Sequence, residues 1–321
     1  MIPTNYSYRE IPYELLQYHA NWDLHPFLDK AEPVTQSPAT IAKVGLVTPP
    51  LVRADQEGNY KFLTGWRSFN CLKDCSSSIQ STLWCKVLPE QTPKISALAH
   101  LYLNYSCTRP ISQIEFARFI SISKTNLHSI KELLKLFESL GLKSNKTYLE
   151  RIEKLLLLEP EMQRAMMAGT LNENTARELL RLHASDRLDI FRLFIDLALG
   201  AGKQRRLLSL IRDLAGRKGI SFSSLITEPQ IARILDHPEM NIPQKSQALL
   251  SHLQDQLTPT LNTASTSFNK WKDQLELPEN LSVDHSPNFE KDEITLSIRF
   301  NDREQFEKSL LFTQLLDLRD C

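Results

Sequence analysis

Glycine is scarce in this chain, at nine residues in 321. That leaves few positions for left-handed or flexible backbone and, with abundant leucine, favours helices. No run of about 18 apolar residues occurs, so no membrane span is expected. The N-terminus, Met-Ile-Pro-Thr-Asn-Tyr, lacks a basic stretch followed by an apolar one, which argues against secretion. Cysteines number five, at positions 71, 75, 85, 107 and 321. An odd, scattered set suits free thiols in a reducing cytosol. Cys71 and Cys75 share one face of an expected helix, with Cys85 near in sequence, but no fourth ligand completes a metal site. His19, His25, His100, His128 and His183 form no pair of the His-Glu-x-x-His kind, so neither a catalytic nor a metal role is assigned to any of them.

Net charge is absent as well, 38 basic residues balancing 38 acidic ones. Its distribution is uneven. Residues 141–220 hold 15 basic and 10 acidic residues, and residues 203–218 hold six basic residues against Asp213 alone. Residues 276–321 hold five basic and 11 acidic residues. A basic middle and an acidic end steer one region toward phosphate.

The length accommodates two or three domains. Residues 1–92 read as mixed α and β. Thr40–Val44 is a short helix stopped by Gly45, and Pro50–Arg53 and Tyr60–Leu63 are strands flanking a hairpin turn. Trp66–Asp74 is a helix and Leu83–Leu88 a strand. Residues 93–220 are almost entirely helical, punctuated by Pro110, Pro160 and the Gly200/Gly202 pair. Thr170 or Asn172 caps a helix near Glu173. Residues 221–275 hold shorter helices broken by Pro229, Pro238 and Pro243, with 258–267 a linker or weak helix. Residues 276–321 close the chain with Ile294–Phe300, whose alternation predicts a half-buried strand, and an amphipathic helix over Arg303–Leu316. The predicted fold class is α+β: a small mixed N-terminal domain, an all-α core and a small strand–helix end.

The most informative stretch runs from Ser129 to Leu156. One helix is apolar at Ile130, Leu133, Leu134 and Phe137. A Gly141 turn follows, then a helix apolar at Tyr148, Leu149, Ile152, Leu155 and Leu156. Lys143, Ser144, Asn145, Lys146 and Arg151 tip the second helix, a pattern suited to a major groove. Arg177, Arg181 and the Lys203, Arg205, Arg206 cluster suit DNA phosphates. At Thr64-Gly-Trp-Arg-Ser68 a strand hands over to a helix. There Gly65, Arg67, Ser68 and the helix's free amides suit an anion. Trp66 would either plug that site or stack on a base.

Taken in order, these features resemble the ParB family of chromosome and plasmid partition proteins. Val44-Gly-Leu-Val-Thr-Pro-Pro-Leu-Val52 is similar to the family's Gly-Leu-x-x-Pro-x-x-Val box, and Gly65-Trp-Arg-Ser68 to its Gly-Glu-Arg-Arg. Asn104 to Ala117 is similar to its Glu-Asn-x-x-Arg and Leu-Ser-Pro-x-Glu-x-Ala boxes. Ala168 to Leu180 is similar to the box after its helix-turn-helix. The resemblance covers residues 36 to 183. It implies DNA binding by the middle domain, a homodimer through the C-terminal domain, CTP with Mg2+ as cofactor, a clamp, a Walker-type ATPase partner and a cytoplasmic, nucleoid-associated protein. Gly65 and Arg67 match the phosphate box, whereas Trp66 and Ser68 replace its Glu and second Arg. In the later box Asn104, Tyr105 and Thr108 stand at Glu, Asn and Arg. A one-residue slip would restore Asn104 to Asn, with Arg109 as the Arg. Each lost charge-assisted contact removes roughly 1.5–3 kcal/mol, so nucleotide binding is expected to be weak, altered or absent, and hydrolysis less favoured still. Two other readings are a nucleotide-dependent phosphotransferase or nuclease using Asp55, Glu57 or Asp74 beside Arg67, and a helical protein-binding adaptor.

Overall fold

The computed structural model describes residues 6–19, 22–27, 38–75, 81–107, 109–289 and 291–307. The chain divides into two compact units between Phe191 and Arg192. The fold class is α+β: a five-stranded mixed sheet near the N-terminus, a long helical region, and a two-stranded sheet near the C-terminus. Among the described residues no helix is long and apolar enough to cross a membrane.

In the first unit the strands are β1 (Ser7–Pro12), β2 (Leu16–Gln17), β3 (Leu51–Ala54), β4 (Tyr60–Phe62) and β5 (Thr82–Leu88), in spatial order β1-β5-β3-β4-β2. The expected hairpin is β3–β4, paired antiparallel as Val52↔Phe62 and Ala54↔Tyr60. Its turn is fixed by Asp55, whose Oδ1 accepts from the N–H groups of Glu57 (3.1 Å) and Asn59 (2.8 Å). Strands β1 and β2 lack a strong alternating pattern and were not anticipated. They are recruited by pairing, β1 antiparallel to β5 and β2 parallel to β4. Along β5 every second side chain (Leu83, Cys85, Val87) is buried, the period-2 signature of a sheet with one covered face. That face packs under α1 (Pro38–Val44) and α2 (Trp66–Cys75), with Ile41, Phe69 and Leu72 completing the core.

Helices α3 (Lys94–Ser106), α4 (Gln113–Asn126), α5 (Ile130–Ser139), α6 (Lys146–Glu153), α7 (Pro160–Met167) and α8 (Glu173–Leu179) follow, and α9 (Ala184–Asp196) runs across the division. The α6 helix stops at Glu153, and Lys154–Leu157 tightens into a 3-10 turn. Asn172 is the cap of α8, accepting from Thr175 N–H at 2.9 Å. Thr170 instead satisfies the end of α7, its hydroxyl donating to the Ala165 carbonyl at 3.0 Å.

The second unit contains α10 (Ala201–Lys218), α11 (Phe222–Ile226), α12 (Pro229–Leu235), α13 (Ile242–Leu257) and α14 (Pro259–Gln274), then β6 (Leu281–His285) and β7 (Ile294–Ile298). Pro229 and Pro243 stand in the first turns of α12 and α13, where a missing N–H costs no hydrogen bond, so the prolines mark the breaks between helices as expected. Thr258 stands at the N-cap of α14 and residues 259–267 lie within it, the helical one of the two readings of that span. One expectation needs correcting. The strand near Ile294 is exposed at all five residues. It pairs with β6, whose Val283 is buried and whose His285 contacts Phe268 of α14. The helix therefore covers the inner strand of a two-stranded ribbon and leaves the outer one in solvent. Residues 303–307 are helical; the rest of the predicted helix, to Leu316, lies outside the described residues, as does Cys321.

Candidate functional site

The helix pair is built from local signals. Ser129 caps α5, its hydroxyl accepting from Glu132 N–H at 3.2 Å. Leu133, Leu136 and Phe137 are buried. The stripe is rotated from the predicted one, so Leu134 is half-buried and Ile130 exposed. The helix ends in a Schellman turn. Gly141 has a φ of 69°, its N–H donates to Glu138 O (3.0 Å), and Leu142 N–H donates to Phe137 O (2.9 Å). In α6, Leu149 and Ile152 are buried, as is Leu155 in the turn after it.

That anchoring turns Lys143, Asn145, Lys146 and Arg151 outward. Asn145 caps α6 by accepting from Tyr148 N–H (3.1 Å), so its amide NH2 is the half left to meet an acceptor. Ser144 is half-buried and donates to Glu138 at 3.3 Å. Lys143 and Arg151 lie 5.4 Å and 5.2 Å from the Tyr148 ring centre. Arg151 also faces Glu173 at 3.5 Å, and Lys146 faces Glu150 at 3.8 Å. Exposed pairs of this kind are worth about 0–1 kcal/mol, so a phosphate can take over these cations at small cost. Arg177 is half-buried on α8, and Arg181 pairs with Glu178 at 2.9 Å. Lys203, Arg205 and Arg206 share the exposed side of α10, with Lys203 donating to the Ser246 hydroxyl at 3.2 Å. These three belong to the second unit and the other cations to the first.

A separate cavity of about 1000 Å3 lies within the first unit. Gly65, Arg67, Ser68, Asn104 and Arg109 all line it. Gly65 holds the β4–α2 turn at a φ of 86°, and a Cβ there would meet Pro50 Cβ at 2.8 Å. The turn is braced by Thr64, whose hydroxyl oxygen accepts from Leu51 N–H (3.2 Å) and from the Asn104 amide (2.9 Å). Trp66 packs against Tyr18, Phe62 and Phe69 at ring separations of 5.1, 5.2 and 5.7 Å. It forms part of the wall and leaves the cavity open.

The cations here are engaged. Arg109 makes a two-pronged pair with Glu115, with Nη1 to Oε2 at 2.8 Å and Nη2 meeting Oε1. Glu115 is 0% exposed. Burial by itself would raise its carboxyl pKa, but Arg109 together with the N–H and hydroxyl of Ser112 holds it below the usual value. Arg67 Nη2 donates to His25 Nδ1 at 2.7 Å. The same Nδ1 lies 2.8 Å from the Phe27 carbonyl oxygen. Arg67 Nε is buried and has no hydrogen-bond partner among the described residues.

Several lining residues carried no signal in the motifs. Asp23 and His25 are buried. Asp23 Oδ1 accepts from His25 N–H (3.0 Å) and the Tyr105 hydroxyl (3.2 Å). Burial and the adjacent Asp23 charge push the Tyr105 hydroxyl well above its ordinary pKa. The Arg164 guanidinium lies 4.3 Å from the Phe27 ring centre. Tyr105 and Glu115, by contrast, lie inside the Asn104–Ala117 stretch quoted above.

Asp55, Glu57 and Asp74 do not line this cavity. Among the described residues no group of three or more His, Cys, Asp or Glu side chains could hold a metal ion. Cys71, Cys85 and Cys107 form no disulfide, and burial pushes the Cys85 thiol up to about 12, which keeps it inert.

No protein-family model and no curated protein matches the chain. Solved structures similar to it include the C-terminally truncated chromosome-partitioning protein ParB from Caulobacter crescentus complexed with CTP-gamma-S, at 16% identity over 56% of this chain and 94% of that one, with a TM-score of 0.24. The same protein complexed to the centromeric parS site matches at 16% identity over 63% and 98%, with a TM-score of 0.33. A Pnob8-like ParB-N domain matches at 14% identity over 79% and 99%, with a TM-score of 0.37.

Proposed function

We propose that this chain is a ParB-like protein that binds duplex DNA and serves DNA partition. One observation carries the reading: the N-terminal end of α6 stands outward with Lys143, Asn145, Lys146 and Arg151 exposed, behind a helix pair whose apolar faces are buried. Further support comes from the ordered motifs between residues 36 and 183. In this reading Ser144 and Asn145 meet base edges, while Lys146 and Arg151 meet bases or phosphates. Arg177, Arg181, Lys203, Arg205 and Arg206 hold phosphates without reading sequence.

A dimer through the C-terminal hairpin would present two such helix pairs to the half-sites of a palindrome. The exposed Ile294 (58%), Leu296 (57%) and Ile298 (46%) on β7 favour a second copy there, since a bare apolar strand edge invites pairing. The cavity is the place for a nucleotide. Gly65, Arg67 and the first turn of α2 suit a phosphoryl group, and no described acidic cluster suits Mg2+. A Walker-type ATPase is the proposed partner, and the nucleoid the proposed location.

The test is selection of bound sequences from random duplexes, with and without each nucleoside triphosphate, followed by affinity against salt. The expected result is a palindromic consensus and a log affinity that falls linearly with log salt. Lys146→Ala should lower that slope by about one. A protein that ignores every duplex at low salt ends the proposal.

A further inference from the structure

We infer that Tyr148 is a positioning residue for DNA binding, its ring holding Lys143 and Arg151 ready to meet the duplex. This rests on the DNA reading proposed above and adds to it a residue without charge. The Lys143 ammonium lies 5.4 Å and the Arg151 guanidinium 5.2 Å from the Tyr148 ring centre, both within the roughly 6 Å at which a cation is drawn to a π face. Lys143 precedes α6, and Arg151 stands three positions after Tyr148 on it, a spacing that makes helix residues neighbours. The ring itself is fixed from beneath. Tyr148 is half-buried, and its ring lies 6.5 Å from Phe116 of α4, which lies 5.8 Å from Phe137 of α5. Phe137 in turn lies 5.3 Å from Phe119, and both are fully buried. An aromatic row thus runs from the core to the tip of the helix pair.

A ring holds a cation differently from a carboxylate. Glu173, 3.5 Å from Arg151, offsets the charge it faces and must give way when a phosphate arrives. Tyr148 need not. Burial and then the Glu173 carboxylate raise its hydroxyl above the ordinary value, so it stays protonated and adds no negative charge to the tip. A π face also leaves the guanidinium edge and the ammonium N–H groups free to donate to an oxyanion. Lys and Arg side chains lose much rotamer freedom when they are ordered. A ring that has already ordered two of them lowers that part of the cost of binding.

Fluorescence anisotropy of the full chain on a random-sequence duplex at low salt tests this, with circular dichroism checking that each variant folds. Tyr148→Leu, which keeps an apolar side chain beside Phe116 and removes the ring, should weaken binding about fivefold or more. Tyr148→Phe, which keeps the ring, should bind within about twofold of wild type. In a Lys143→Ala/Arg151→Ala background, Tyr148→Leu should weaken binding no further, since what it positions is gone. Tyr148→Met takes the place of Tyr148→Leu if that variant fails to fold. A folded Tyr148→Leu chain that binds as wild type does overturns the inference and leaves the DNA reading in place. So does a Tyr148→Phe loss equal to that of Tyr148→Leu, or an undiminished Tyr148→Leu loss in the double-alanine background, the mark of a purely structural role. A wild-type chain that binds no duplex overturns the DNA reading and this inference together.

Discussion

The α5–α6 tip and the cavity use similar residues in opposite ways. At the tip, Lys146 and Arg151 face carboxylates at 3.8 and 3.5 Å on open surface. In the cavity, Arg109 is clamped to a fully buried Glu115, and Arg67 is hydrogen-bonded to a buried histidine. Surface partners can be exchanged for another anion at little cost. Buried partners are part of the fold, and removing one strands the other. A cation's type therefore says less about its job than the burial of what it touches.

Substitutions can break that contrast. The largest effect is expected for Glu115→Ala, which strands Arg109 and removes the capping box of α4. Because the Arg109 side chain is partly exposed, the loss should fall near the low end for a buried pair, about 3 kcal/mol, read by urea unfolding. The pH dependence follows from the lowered carboxyl pKa. The pair's stabilisation is complete above the unfolded glutamate pKa of about 4.3 and is lost as pH falls through the lower folded value. Wild type should therefore lose stability below about pH 4, with the Glu115→Ala variant showing a flatter profile.

Gly65→Ala comes next. The substitution must place a Cβ 2.8 Å from Pro50 at a φ of 86°, which should cost about 1–3 kcal/mol and lower the thermal midpoint. Asn145→Ala removes the cap of α6 and should cost about 1 kcal/mol together with DNA affinity, joining the two regimes in one residue. The smallest stability effect belongs to Lys146→Ala, within about 0.5 kcal/mol, alongside its lower salt slope in DNA binding. If Lys146→Ala proved as destabilising as Glu115→Ala, the contrast between exchangeable and structural cations would be wrong.

Much of the secondary structure was legible because its signals are local. Gly45 and Gly141 stop helices at positive φ, and β5 alternates as a half-covered strand does. The helix pair was read from spacing, although its apolar stripe was misplaced by part of a turn, since burial depends on what packs against it. Strands β1, β2 and β6 were missed because pairing partners distant in sequence create them. The outer strand β7 was predicted to be half-buried because alternation reports a preference for a covered face and not whether a cover exists.

The sequence by itself determined the α+β class, the order of the boxes and the outward polar tip after Gly141, since caps, periodicity and turn residues act over a few positions. Only the tertiary structure decided which charges remain usable. Asp23, His25, Thr64 and Glu115 reach one cavity from separate segments. Their burial sets the strength and permanence of each contact, because electrostatic and hydrogen-bond energies grow as water is excluded.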